Sequence, residues 1–267
     1  MRGVLTRAIV RPPGHNFAKG LTTSRLGMPD YRQALQQHAD YCAALEECGL
    51  ELVRMEADER YPDSCFVEDT AILLADRREN RKRISPVLTR PGASTRQGEV
   101  ADMRSALASL FPWLHEIQAP GTLDGGDICE AEAHFFIGLS ERTNVDGARQ
   151  LSEIVETQGY TTSLVDIRGI DGLLHLKSGV AYLSENRLAV NESLAQRDEF
   201  KGYELIHVDP SENYAANCIS INGRVLVAAG HSNFETKLCE LGYRTIVVEM
   251  SEFQKMDGGL SCLSLRW

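Results

Sequence analysis

Four short stretches of this chain carry residues whose types could do chemistry together. Cys262 follows a Gly258-Gly259 pair, His175 sits in Leu174-His175-Leu176-Lys177-Ser178, Asp124 opens Asp124-Gly125-Gly126-Asp127, and Glu68-Asp69 follows Phe66-Val67. Each has an ordinary reading alone. A free cysteine is usually a small buried hydrophobe, an aspartate beside glycine is usually turn chemistry, and a histidine between leucines fits a core. Taken together, a thiol, an imidazole and carboxylates suit covalent catalysis. The thiolate attacks, His175 serves as general acid and base, and a carboxylate holds the imidazole or a substrate cation. Carboxylates on the substrate side call for a cationic electrophile, and a guanidinium fits because its fork matches carboxylate geometry.

Residues so far apart need a fold that gathers them. The anchors Asp69, Asp124, His175, Cys218 and Cys262 are separated by 55, 51, 43 and 44 residues. Similar periods of this length signal a propeller or array, whose units must pack on neighbours to cover their apolar faces. Each interval reads as a hairpin, a helix and a strand. Helices are expected from Pro29 to Gly49, around Val100 to Leu110, around Ala148 to Val155, around Leu194 to Phe200 and around Phe234 to Leu241. Asn222-Gly223 is the strongest hairpin signal. The Cys262 stretch reads as a strand with no downstream partner, and Gly3 to Pro12 supplies one. The expected fold is α/β: one domain over residues 1–267, closed by its termini, with the anchors on the innermost strands.

The remaining sequence restricts the function class. A net charge of -10 disfavours nonspecific binding to nucleic acid or an anionic membrane. The N-terminus has no apolar signal region, and no stretch approaches a membrane span. Seven cysteines without a Cys-x-x-Cys pair point to a reduced, cytoplasmic protein. Nothing has structural zinc spacing, so neither metal nor cofactor is expected. A zinc set drawn from Cys262, His175, Cys218 and an aspartate is conceivable only as inhibition.

Along its whole length the chain resembles the dimethylarginine dimethylaminohydrolase family of the guanidine-modifying (pentein) superfamily. The segments that carry the resemblance are 66–69, 123–127, 138–144, 174–178, 215–219 and 256–262. It implies a five-bladed α/β propeller of ββαβ-like units and a small-molecule substrate, Nω-methylated arginine, hydrolysed to citrulline and an amine. On that analogy Cys262 is the nucleophile, His175 the acid and base, and Asp124 orients His175. Asp69, helped by Glu68, binds guanidinium nitrogens. Arg90 and Arg142 clamp the α-carboxylate, and Leu21 and Asp63 meet the α-amino end under a lid formed by the Gly14 to Gly27 loop. Related arginine deiminases place an acid two residues after the histidine, where this chain has Lys177. On an alternating strand Lys177 would share a face with His175, so it must turn away or pair with a carboxylate. A deiminase acting on arginine and a non-catalytic ring of the same fold are the alternative readings, and a homodimer is left open.

Overall fold

The computed structural model describes residues 4–78 and 83–267; Gly3 of the expected first strand and residues 79–82 of the basic turn lie outside them. In chain order the elements are β1 (Arg7–Val10), α1 (Tyr31–Glu47), β2 (Glu51–Arg54), β3 (Ala71–Ala75), β4 (Ile84–Leu88), α2 (Val100–Leu110), β5 (His115–Glu116), β6 (Ile128–Ala131), β7 (His134–Leu139), α3 (Val145–Thr157) and β8 (Thr161–Asp166). They continue with β9 (Val180–Tyr182), β10 (Arg187–Val190), β11 (Glu204–His207), β12 (Ile219–Ile221), β13 (Arg224–Ala228), α4 (Ser232–Glu240), β14 (Arg244–Val248), α5 (Ser251–Gln254) and β15 (Ser264–Arg266).

The strands form five three-stranded sheets. Four of them repeat one plan, an antiparallel hairpin followed by a crossover to a parallel outer strand, as in β3-β4-β5 and β6-β7-β8. The fifth joins the two ends of the chain: β15 runs antiparallel to β1, with Ile9 opposite Leu265, and β1 runs parallel to β2. The expected pairing of the terminal strands is therefore present, and the sheets with their helices make the five-bladed α/β propeller. Asn222-Gly223 turns β12 into β13 with both residues at positive φ, as a tight hairpin requires.

Local chemistry explains the outer layer. Asp30 caps α1 by accepting from the Gln33 amide, and Asn144 caps α3 by accepting from Gly147, each satisfying a donor the helix cannot. Helix α1 buries Ala34, Tyr41 and Leu45 against the closing sheet, and its Tyr41 hydroxyl meets Ser264 Oγ at 2.6 Å. The helix expected around Leu194 to Phe200 is absent. Asn191 Oδ1 accepts from the Leu194 amide and the segment runs through turns, with one 3-10 turn at Asp198–Phe200.

The larger correction concerns the anchors. None lies on a strand's regular part: Asp69, Asp124, His175 and Cys262 occupy or cap 3-10 turns that precede β3, β6, β9 and β15. Cys262 itself donates its amide to Gly259 O, one turn before β15 begins. Alternation along a strand thus does not place these side chains, and the turn geometry does. Below the turns the first strands line a central channel of about 120 Å³.

The pairing of the termini closes the ring, so loosening it should be costly. Ile9 is fully buried between β15 and β2. Ile9→Ala is expected to cost about 2–5 kcal/mol of stability by denaturant unfolding; a loss below about 1 kcal/mol would show that the closing sheet carries little of the fold.

Candidate active site

Five turns meet at one end of the propeller, and hydrogen bonds link each to the next. Asp69 Oδ1 accepts from the Gly126 amide at 2.8 Å, and Asp127 Oδ1 accepts from the Leu176 amide at 3.0 Å. Asn217 Nδ2 donates to Lys177 O at 2.9 Å, and its Oδ1 accepts from the Ser261 amide at 2.9 Å. Ser261 Oγ closes the circuit by donating to Glu68 Oε2 at 2.8 Å.

Glycines allow the turns to approach this closely. A Cβ on Gly126 would lie 2.7 Å from the His175 ring, one on Gly258 2.3 Å from Phe66, and one on Gly259 2.5 Å from Asn217. Only a residue without a side chain fits at these points.

The ring presents a cavity lined by Cys262, His175, Asp69, Asp63, Arg96 and Arg142, with Leu21 and Met256 at its rim. Its volume is about 20 Å³, room for about one water, and the loop that carries Leu21 contributes to its lining. That loop is held by the Leu21 amide, which donates to both oxygens of buried Asp63. Thr22 and Thr23 fasten it further by donating to Asp257.

His175 Nε2 meets Asp124 Oδ2 at 3.0 Å, and Asp69 Oδ1 lies 4.0 Å away. Burial is the largest influence on this imidazole and would lower its pKa, but Asp69, Asp127 and Asp124 together lift it to about 9. Asp127 does so from beneath, held by the Ser140 and Thr143 hydroxyls, and burial pushes its own pKa up to about 6. Around Cys262, burial and then the negative charges of Glu68 and Asp69 push the thiol up to about 12. Its Sγ accepts from the Gly259 amide at 3.4 Å. These shifts favour a thiol at Cys262 and an imidazolium at His175 at neutral pH.

The expected site residues separate into two groups. Cys262, His175, Asp69, Asp63, Leu21 and Arg142 line the cavity, and Asp124 lies behind His175, fully buried, with its other oxygen accepting from the Gly92 amide. Arg90 and Glu68 are not at the cavity. Arg90 bridges Leu123 through its backbone and points its guanidinium at Gly121 O. Glu68 is engaged from the channel side by Lys177, at 2.5 Å, and by Ser261. The pairing foreseen for Lys177 is thus present, though on a 3-10 turn and not on a strand. Cys218 packs in an apolar cluster with Ala216 and Val225, away from Cys262 and His175.

Against solved structures, a cysteine-to-serine mutant of a Pseudomonas aeruginosa enzyme complexed with citrulline superposes with a TM-score of 0.93 at 40% identity, covering 99% of this chain and 100% of that one. No family model matches the sequence. Among curated proteins, the N(G),N(G)-dimethylarginine dimethylaminohydrolase of Pseudomonas aeruginosa is 42% identical over 260 residues, 97% of this chain and 98% of its own. The chain belongs to the dimethylarginine dimethylaminohydrolase family. The Streptomyces coelicolor dimethylarginine dimethylaminohydrolase is 31% identical over 97% of this chain and 96% of its own. The N-terminal domain of the arginine dihydrolase ArgZ, at 19% identity and a TM-score of 0.84 over 97% of each chain, shares the fold.

In this dimethylarginine dimethylaminohydrolase-family site, the residue that sequence reading most clearly missed is Arg96. It is 4% exposed, pairs with Asp69 at 2.5 Å and with Glu99 at 2.8 Å, and donates to the carbonyls of Asp63 and Phe66. Only its place six residues after Arg90, ahead of α2, could have drawn notice. Asp127, Asn217 and Ser261 were also passed over, although all three lie inside the motifs named above.

The raised imidazole pKa gives a signed expectation. The folded value exceeds the ordinary 6.5, so this pairing stabilises the fold fully below pH 6.5, and the contribution is lost as pH rises through about 9. Asp124→Asn should lower the His175 midpoint by about one unit, read by NMR titration of the imidazole. An unchanged midpoint would show that Asp124 does not set its charge.

Proposed function

We propose that this protein hydrolyses Nω-methylated arginines to citrulline and methylamine or dimethylamine through a covalent intermediate on Cys262. The observation that carries the reading is one cavity holding a thiol, an imidazolium, a buried carboxylate and two arginines. Relatives named dimethylarginine dimethylaminohydrolase, one solved with citrulline, support it.

The charges arrange the substrate. Its guanidinium lies against Asp69, and its α-carboxylate turns to Arg142. Arg142 has a buried Nη1 without a hydrogen-bond partner; a carboxylate would satisfy it. Asp63, whose carboxylate already organises Leu21, receives the α-ammonium. Arg96, engaged by Asp69 and Glu99, holds the Asp69 carboxylate in place.

The same charges order the steps. A guanidinium cation beside Cys262 offsets Glu68 and Asp69, so substrate binding draws the thiol pKa down and releases its proton. The thiolate forms a bond to the guanidinium carbon. The carbon–nitrogen bond to the methylated nitrogen breaks, its electron pair leaving with the amine as His175 supplies a proton. His175, now neutral, takes a proton from water as its oxygen adds to the carbon. The carbon–sulfur bond then breaks, returning the thiolate, and the proton left on the new oxygen passes to solvent as citrulline is released. Lys177, tied to Glu68, offers no acceptor for an unsubstituted nitrogen, which favours methylated substrates. None of the described helices is long and apolar enough to cross a membrane, and seven unpaired cysteines favour a cytoplasmic setting.

Two outcomes are expected. Cys262→Ser should abolish citrulline formation while still binding ligand, because a serine here lacks a dedicated base; activity within about tenfold of wild type would refute the nucleophile. Separately, kcat/KM for mono- and asymmetric dimethylarginine should exceed that for arginine by at least about tenfold. If arginine is the best substrate, the deiminase reading replaces this one.

A further inference from the structure

Beside the catalytic cavity lies a second and much larger one of about 540 Å³. The two share Leu174, Asp257 and Gly258 as a common wall. At Gly259 this wall is a single backbone segment: Gly259 lines the large cavity, and its amide is 3.4 Å from Cys262 Sγ. Neither Gly258 nor Gly259 has a side chain to thicken the partition, and neither could carry one, as the contacts with Phe66 and Asn217 show.

The large cavity has its own chemical character. Asn191, Ser193, Asn213 and Gln254 supply neutral polar groups, and Asp171 and Asp257 supply negative charge. Among the described residues that line it, none is Lys, Arg or His. The catalytic cavity holds Arg96, Arg142 and His175 beside Asp63, Asp69 and Asp257. A cation thus meets only neutral and negative groups in the large cavity, whereas the small one also offers Arg142 to an amino-acid carboxylate.

The reaction creates a need for such a division. After the carbon–nitrogen bond breaks, the amino-acid part stays bonded to Cys262 under the Leu21 loop. The amine must leave and a water must arrive, and the catalytic cavity with the loop in this position, at about 20 Å³, has no space for both. We propose that the 540 Å³ cavity is a chamber that receives the leaving alkylamine and admits the hydrolytic water across the Gly258–Gly259 partition. The amine departs neutral, with the proton from His175, and takes a second proton from water in the chamber. An alkylamine titrates near the lysine value of about 10.4, so it becomes an alkylammonium that Asp171 and Asp257 attract.

Asp257 is placed to control passage. It lines both cavities, sits at φ 56, and accepts from the Thr22 hydroxyl and from both the amide and hydroxyl of Thr23. A non-glycine residue in that left-handed region is held there by its surroundings. Thr23 is also a wall of the chamber, so release of these bonds would widen the passage from the chamber side.

The proposal rests on the methylarginine reading, and its test has one arm that does not. Ser193 and Asn213 are exposed and outside the catalytic cavity, so Ser193→Trp/Asn213→Trp should fold and fill the chamber. Exposed Glu192→Trp, which does not line it, is the control. With asymmetric dimethylarginine the filled variant should lose about fivefold or more in kcat with KM within about twofold, as product release becomes limiting. Monomethylarginine, whose amine is smaller, should be affected less. Independently, dimethylammonium chloride titrated into the wild type should shift the NMR signals of the Asn191, Asn213 and Gln254 side-chain amides saturably. The same titration should leave Asn191 and Gln254 unshifted in the filled variant. Unchanged kcat in the folded, filled variant, or no saturable shift in the wild type, overturns the proposal. Wild type that forms no citrulline overturns the functional reading, while the NMR titration still decides whether the chamber takes an amine.

Discussion

The site depends on a closed circuit of hydrogen bonds among five turns. Each contact joins one blade to the next: Asp69 to Gly126, Asp127 to Leu176, Asn217 to Lys177 and to Ser261, and Ser261 to Glu68. A propeller whose blades meet only through apolar faces could slide slightly, because such packing is not directional. Buried polar bonds between turns remove that freedom, since leaving either partner unsatisfied costs about 1–3 kcal/mol. Cys262, His175 and Asp69 sit on those turns, so holding the circuit and aligning the groups proposed to react are the same task.

Charge then fixes what the aligned groups can do. Arg96, between Asp69 and Glu99, is buried with both partners, and a pair of this kind is costly to break from one side. Asp69 is held ionised: burial opposes this most strongly, but His175, Arg96 and the Gly126 amide outweigh it. On the channel side Glu68 meets Lys177, Ser261 and Arg266, which separates the reaction cavity from the channel. Burial first, and then the negative charges of Glu68 and Asp69, hold the Cys262 thiol pKa up.

Much of this was legible in the sequence, for identifiable reasons. Apolar alternation ended by Asn222-Gly223 and similar turns marks hairpins without reference to the rest of the chain. The unpartnered Cys262 stretch required a partner strand, and β1 provides it. The spacing of Asp69, Asp124, His175 and Cys262 follows the blade repeat. What failed was local. A polar residue just before a strand has the same pattern whether it begins the strand or caps a 3-10 turn, so His175 and Cys262 were placed on strands. Arg96 was invisible because an isolated arginine ordinarily faces solvent, and only tertiary structure shows this one surrounded by carboxylates and carbonyls. At the fourth anchor, Cys218 drew attention for its thiol; its neighbour Asn217 makes the link between blades.

Asn217 offers the most direct test of the claim that the turn circuit positions the chemistry. It contributes no group to the proposed bond making, yet it joins the His175 turn to the Cys262 turn. The decisive measurement is kcat for asymmetric dimethylarginine with Asn217→Ala, below the variant's unfolding temperature, with the fold verified by circular dichroism. The account predicts a loss of about 10²-fold in kcat, the scale of a misplacement of about 1 Å, with KM much less affected. A folded Asn217→Ala protein that turns over at the wild-type rate would contradict it.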